Sequence, residues 1–267
     1  MPRLARTVFS GVAHHITQRG NRREDVFFND EDRRTYLVWL HEYCTKHGVE
    51  ILAYCLMTNH IHVVAVPAKA TALEQVFRPL HTRYAQRINR RKRWKGHLWQ
   101  GRYFSCALDD EYLWAAIRYV ERNPVQARLV KKAENYPWSS AAAHCGPKTD
   151  QVLTAERGWW RRFETVGNWS KWLAQGDTPE LLEVLRRYVE RGLPCEAEGF
   201  HSEARTYGGA CATLPGARAA EKRGRGRVKK VCVPFLILVF FGSRHRLSAG
   251  RRAPRLTRFV RRAHDLP

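Results

Sequence analysis

Two apolar runs, Val49 to Met57 and His60 to Val66, are separated only by Thr58-Asn59. Two strand-like runs joined by so short a polar link predict a β-hairpin. Side chains alternate along a strand, so His60 and His62 share one face with Val64 and Val66, and Ile61, Val63 and Ala65 share the other. Two imidazoles side by side on one face form half of a metal site. From this stretch alone, a pair of partly buried histidines at the end of a core strand is an equal alternative.

A second stretch adds to this pair. Trp114 to Pro124 has the pattern of a helix that ends before its proline. Tyr119 and Asn123 are four residues apart and lie on one helix face. Asn123 is expected at the helix end, because the residue before a proline is disfavoured in the α region. A tyrosine hydroxyl and an amide oxygen facing two histidines would supply one nucleophile and three neutral ligands.

The rest of the chain supplies the surrounding elements. Val12 to Thr17 has strand composition and runs into turn chemistry at Gly20-Asn21. His14 and His15 point to opposite faces, so at most one of them faces His60 and His62, and neither is expected to be a ligand. Asn29 or Asp30 is expected to cap a helix that runs to His47 and stops at Gly48. Its stripe of Tyr36, Leu37, Leu40, Tyr43 and Cys44 reads as core. A second helix is expected from Thr71 to Lys92, burying Leu73, Val76, Phe77, Leu80, Tyr84 and Ile88. Gln100-Gly101-Arg102 reads as a turn before a fourth strand that ends near Leu108, and Asp109 or Asp110 caps the helix of Tyr119. The order strand, helix, strand, strand, helix, strand, helix is that of a ferredoxin-like α+β sandwich, an antiparallel sheet with helices on one face.

Charge points to a polyanionic partner. The chain has 47 Lys+Arg against 25 Asp+Glu, a formal net charge of +22. Residues 218–267 hold 15 Lys+Arg and 2 Asp+Glu, and the body before them is more moderately basic. Arg83, Arg87 and Arg91 repeat at four-residue steps, joined by Arg78, Arg90, Lys92, Arg93 and Lys95, with no acidic residue between Gln75 and Ala107. That imbalance favours nucleic-acid binding over a solvated face. Trp94, His97, Trp99, Tyr103 and Phe104 interleave with the basic run, as stacking on unpaired bases requires. For Tyr103 and Phe104, core packing is the favoured reading. Arg19 and Arg22, beside Gly20-Asn21, suit phosphate contacts and a solvated loop equally well.

Seven cysteines with no C-x-x-C pair argue against a disulfide framework or a thiolate zinc site and fit a reducing compartment. The longest apolar run, Val231 to Phe241, is interrupted by Pro234 and is far short of the roughly 20 residues of a membrane span. The first residues have no apolar core of signal-peptide length. A cytoplasmic, nucleoid-associated protein is expected. Trp159 to Ala174 and Pro179 to Arg191 read as two amphipathic helices, and the chain beyond about residue 217 reads as disordered. The expected division is a catalytic domain over 1–147, a helical extension over 148–215 and a basic tail over 216–267.

Taken together, His60-Ile61-His62 and Tyr119-x-x-x-Asn123-Pro124-Val125 resemble the HUH-type single-tyrosine transposases, and in particular the REP-associated tyrosine transposases. Supporting stretches are Thr17 to Asn21, Leu56 to His62, Leu98 to Tyr103 and Tyr136 to Ser140. The resemblance spans residues 5–145. It implies His60, His62 and Asn123 as ligands of Mg²⁺ or Mn²⁺ and Tyr119 as the nucleophile. It implies cleavage and rejoining of single-stranded or hairpin-forming DNA through a phosphotyrosine intermediate. Arg19, Arg22, Arg83, Arg87, Arg90, Arg91, Arg93, Lys95 and Arg102 are the expected DNA contacts. Arg118 and Arg122, beside the tyrosine, suit phosphate contact or solvation equally. The protein is expected to act as a monomer or homodimer. The alternatives are a nucleic-acid-binding regulator without turnover and a zinc-dependent nuclease or structural metal protein.

Overall fold

The computed structural model describes residues 7–146, 149–154, 159–178, 182, 183, 185 and 187. The chain divides into two units, Met1–Thr213 and Leu214–Pro267, and every described residue lies in the first. The expected disordered tail and most of the expected helix from Pro179 to Arg191 lie outside the described residues.

The elements follow the expected order: β1 His14–Arg19, α1 Asp30–His47, β2 Val49–Leu56, β3 His60–Pro67, α2 Ala72–Lys92, β4 Phe104–Ala107 and α3 Asp110–Gln126. Three short helices follow, α4 Ala141–Cys145, α5 Trp159–Glu164 and α6 Trp169–Ala174. The four strands form one antiparallel sheet in the order β2-β3-β1-β4, so the histidine strand β3 and its partner β1 are central. Both faces of β3 carry apolar side chains, so the expectation of helices on one face is corrected for α3: α1 and α2 cover one face and α3 covers the other. Ile61, Val63 and Ala65 pack with Ile16 against α1 and α2. Val64 and Val66 pack with Cys55, Cys106 and Ala13 against α3. The His60/His62 face is therefore the α3 face.

Local chemistry sets the boundaries. The Asn29 Oδ1 caps α1 by accepting from the Asp32 N–H at 2.9 Å, and Asp32 Oδ2 accepts from the N–H of Phe28, one residue before the cap, at 3.0 Å. Gly48 ends that helix in the left-handed region at φ 64°, where a Cβ is disfavoured. Two expected helix ends are corrected. The α3 helix does not stop at Asn123 but runs through Pro124 to Gln126. A proline in the last turn removes a single helical N–H, and the helix closes beyond it with the Ala127 N–H on the Asn123 carbonyl. Conversely, the single helix expected from Trp159 to Ala174 is two. Gly167, at φ 65°, breaks it, and the Asn168 side chain caps α6 by accepting from the Lys171 N–H.

Two motifs serve to join elements. Tyr136 to Ser140 runs along the outer edge of β2: the Leu56 N–H donates to the Trp138 carbonyl, the Ser140 N–H donates to the Tyr54 carbonyl, and the Tyr136 hydroxyl donates to the Leu56 carbonyl. It covers an edge that would otherwise be open to pairing. Thr17 to Asn21 ties the histidine strand to the segment after α2. The Gly20 N–H donates to the Asn59 carbonyl, Asn21 N–H to Leu98, Gln100 N–H to Arg19, and the Gln18 amide to Gly101. Gly20 is required here for space: a Cβ would run into the Glu24 carbonyl oxygen and Val26 Cγ1.

The basic stripe of α2 is held to α1 by ion pairs. Arg91 grips Asp32 with both guanidinium nitrogens at 2.5 and 2.6 Å, Arg87 meets Glu31 at 2.6 Å, and Arg83 meets Glu42 at 3.5 Å while stacking on Trp39. Asp32 is fully buried. Its burial opposes ionisation, but the Arg91 guanidinium and the Phe28 N–H more than offset this and hold the carboxyl below its ordinary value of 3.8. A depressed folded-state value means the pair's contribution is fully present above the ordinary value and is lost as pH falls through the folded one. Urea midpoints are expected to decline from about pH 5 downward, and Asp32→Asn should flatten that part of the profile. An unchanged slope in the variant would assign the acid sensitivity elsewhere.

Candidate active site

Strand β3 and helix α3 build one cluster on the α3 face of the sheet. Tyr119 and Asn123, one helical turn apart, lie over the histidines. The His62 and Tyr119 rings meet edge-on with centroids 5.4 Å apart, and His60 meets His62 edge-on at 5.0 Å. The Asn123 side chain is hydrogen-bonded to His60, whose Nδ1 also pairs with Asn59 Oδ1 at 2.6 Å. Tyr119 and Asn123 are each 8% exposed and His62 6%, so the site is shielded yet reaches the surface. The four residues read from the sequence as ligands and nucleophile are thus brought together within one chain.

A fifth residue joins them. His15 of β1 faces the same side, with its Nε2 3.0 Å from His62 Nδ1 and its ring edge-on to Tyr119 at 6.0 Å. Alternation allows at most one of His14 and His15 to face this side; only the pairing of β1 with β3 shows which one and how near.

The cluster is electrically neutral at the histidines. Burial lowers His60 to about 4, helped by the Arg19 guanidinium and opposed by the Asn123 hydrogen bond. Burial, then His60, His15 and Arg19, holds His62 well below its ordinary value. Burial brings His15 down to about 3. All three imidazoles therefore keep a lone pair at neutral pH, the form in which histidine binds a metal. The His62 Nε2 is buried without a hydrogen-bond partner, an orphan that a cation would satisfy. Among the described residues no group of three or more His, Cys, Asp or Glu is placed to hold a metal ion, so a metal here would need the Asn123 amide beside His60 and His62. That donor set, two imidazoles and an amide oxygen, suits a divalent ion with positions left open.

The remaining expected contacts separate into two groups. Arg22, Arg90, Arg93, Lys95 and Arg102 are exposed, and Arg19 lies half-buried beside His60. Arg22 and Arg23 are both left-handed, at φ 54° and 64°, in the turn that receives the Asn59 side-chain N–H. Arg83, Arg87 and Arg91 are instead engaged by α1, whose acids supply the counter-charge that the local sequence lacks. Neither reading of Arg118 and Arg122 holds. Arg118 pairs with Asp177 at 2.6 Å and stacks on Trp172, and Arg122 donates to the Leu173 carbonyl. Both fasten the segment 169–177 to α3. Of the interleaved aromatics, Trp99 and Tyr103 are core, whereas Trp94 and Phe104 are 46% and 44% exposed; the core reading of Phe104 is corrected.

A second residue that sequence reasoning missed is Glu121. It is fully buried, and its carboxylate accepts from the Ser140 hydroxyl at 2.5 Å and the Trp169 indole N–H at 2.7 Å, with His144 Nδ1 at 2.6 Å. It ties the tyrosine helix to α4 and α6 from the side opposite Tyr119. The only signal in the sequence is an acid next to the apolar Ile117 and Val120.

No curated protein sequence matches the chain. A REP-associated tyrosine transposase solved bound to a REP hairpin is 19% identical, with 59% of this chain and 98% of that one covered at a TM-score of 0.45. A protein from Deinococcus radiodurans R1, provisionally assigned as a transposase, is 18% identical, with 48% and 95% covered at a TM-score of 0.33. No described helix is long and apolar enough to cross a membrane. Residues 8–123, which hold the hairpin, both histidines, Tyr119 and Asn123, match the family model for IS200-like transposases.

Proposed function

We propose that this protein is a transposase of the IS200-like kind, a metal-dependent single-strand endonuclease that cleaves and rejoins hairpin-forming, REP-like DNA through a covalent bond to Tyr119. The observation that carries the reading is the convergence of Tyr119, His60, His62 and Asn123 in one shielded cluster of a single chain. His60, His62 and Asn123 would hold Mg²⁺ or Mn²⁺. When bound, the ion supplies Lewis acidity to the scissile phosphate. Tyr119 attacks phosphorus through its phenolic oxygen; the Tyr–O–P bond forms as the P–O bond to the departing 3′ oxygen breaks. The phenolic proton leaves during attack, and the departing oxygen is protonated to a 3′-hydroxyl. Retaining the phosphoryl group on the protein conserves the bond for rejoining without an energy cofactor.

The chain's own residues orient this step. Burial keeps His60 and His62 neutral, and the Asn123 amide fixes the His60 ring. Arg19, beside both histidines, would take a non-bridging phosphate oxygen. Arg22, Arg90, Arg93, Lys95 and Arg102 would follow the flanking backbone, with Trp94 and Phe104 available for stacking. Because Tyr119 sits on the histidines of its own chain, we propose cleavage in cis.

The test is incubation with end-labelled hairpin DNA carrying single-stranded flanks, with Mg²⁺ or with EDTA, followed by a denaturing protein gel. A labelled, SDS-resistant protein band with Mg²⁺ and none with EDTA is expected. Cleavage supported by Zn²⁺ with no covalent band would favour a hydrolytic nuclease instead, and binding without any cleavage would favour a regulator.

A further inference from the structure

Strand β1 places a further histidine against the proposed ligands. In the β1–β3 pairing, His62 lies opposite Thr17 and His15 opposite Val64, which makes His15 and His62 diagonal neighbours on one face. Their rings stack with centroids 5.1 Å apart and an interplanar angle of 29°. The contact is specific in its atoms: His15 Nε2 to His62 Nδ1, 3.0 Å. Both residues are buried, at 1% and 6% exposure. The two nitrogens turned away from each other, His62 Nε2 and His15 Nδ1, are buried without hydrogen-bond partners.

We infer that His15 is a positioning residue for the metal centre: its Nε2 accepts the Nδ1 proton of His62 and so presents the His62 Nε2 lone pair to the ion. The inference rests on the metal-dependent reading of the site. A neutral imidazole ligates through one nitrogen and carries its proton on the other, and that second nitrogen is ordinarily held by an acceptor that fixes both tautomer and ring orientation. For His62 the acceptor in place is His15. Accepting at Nε2 requires His15 to carry its own proton on Nδ1. This arrangement leaves the one unpaired acceptor of the pair, His62 Nε2, on the side away from β1. It also accounts for two polar rings placed beside Ala13, Val64, Val66 and Cys106. If the ring served packing alone, a phenylalanine would serve as well.

The test therefore separates ring from nitrogen. Mn²⁺ binding to the full-length protein is followed by the EPR signal of free Mn²⁺, without DNA, alongside circular dichroism to check folding. The wild type should bind Mn²⁺ saturably. His15→Phe keeps an aromatic ring and removes both nitrogens; it should weaken Mn²⁺ affinity by about 10–100-fold and raise the Mn²⁺ needed for half-maximal cleavage by a similar factor. Its cleavage rate should recover toward wild type at saturating Mn²⁺. A second pair guards against misfolding of the phenylalanine variant. His15→Gln places an amide oxygen near the former Nε2 and should restore most of the affinity, whereas His15→Asn places it near the former Nδ1 and should not. Equal Mn²⁺ affinity in wild type, His15→Phe and His15→Asn would overturn the inference while leaving the metal site intact. A wild type that takes up no Mn²⁺ would overturn the metal reading itself.

Discussion

Tyr119→Phe is expected to abolish the covalent protein–DNA band and to reduce strand cleavage by a factor on the order of 10⁴ or more, the scale seen when a catalytic nucleophile is removed. The substitution is informative because it changes so little else. The phenylalanine ring keeps the edge contacts with His62 and His15, and the helix keeps its place over the sheet. Loss of a single hydroxyl alters folding stability by about 1 kcal/mol. Hairpin DNA should therefore bind the variant as it binds the wild type, since the proposed phosphate contacts come from basic residues on β1, the 21–23 turn, the end of α2 and the segment after it. Gel shift and adduct assays on the same preparation separate the two properties. Wild-type cleavage in the variant would remove Tyr119 from the reaction and return attention to a metal-activated water.

How much of this site could be read in the chain follows from the range over which each signal acts. His60 and His62 were legible because strand alternation is a two-residue rule, and Tyr119 with Asn123 because the helical repeat is a four-residue one. Capping residues such as Asn29, Gly48 and Asp109 were legible for the same reason. Relations set by pairing between distant segments were not. His15 is 47 residues from His62, and its partner depends on the β1–β3 register. The basic run of α2 looked unbalanced because its counter-charges, Glu31, Asp32 and Glu42, lie on another helix. Arg118 and Arg122 looked like solvent-facing or phosphate-facing groups because their partners arrive from residues 172–177. The end of α3 was misplaced for a local reason: a proline so near the C-terminus forfeits one hydrogen bond, and the Ala127 N–H still closes on Asn123.

Several nonlocal contacts converge on helix α3. One side of α3 presents Tyr119 and Asn123 to the histidines, and the other sides are fastened by Glu121, Arg118 and Arg122 to chain that follows the family domain. The match to the IS200-like family model ends at residue 123, yet the helix that carries the proposed nucleophile is secured by residues 140–177. A metal bound at the proposed site would tolerate little displacement of its ligands, so Asn123 in that role would depend on this fastening as much as Tyr119 does.

Glu121→Ala is accordingly expected to lower stability by about 3–5 kcal/mol, the range for breaking a buried charged network by removing one partner. The carboxylate is fully buried and serves the Ser140 hydroxyl, the Trp169 indole and the His144 ring together. Truncation leaves those groups inside a core of Ala116, Ile117, Val120, Phe163 and Trp169 with no water to take them up. Set against a total of roughly 5–15 kcal/mol for a domain, the loss is large, and it falls where α3 meets α4 and α6. Urea unfolding followed by tryptophan fluorescence measures it, since Trp169 and Trp172 lie beside the carboxylate's partners. Glu121→Gln keeps an acceptor of the same length and should retain a larger share of the stability than alanine does. If alanine and glutamine variants unfolded at the wild-type midpoint, the network would contribute nothing to holding the tyrosine helix, and the fastening of α3 would rest on Arg118, Arg122 and apolar packing.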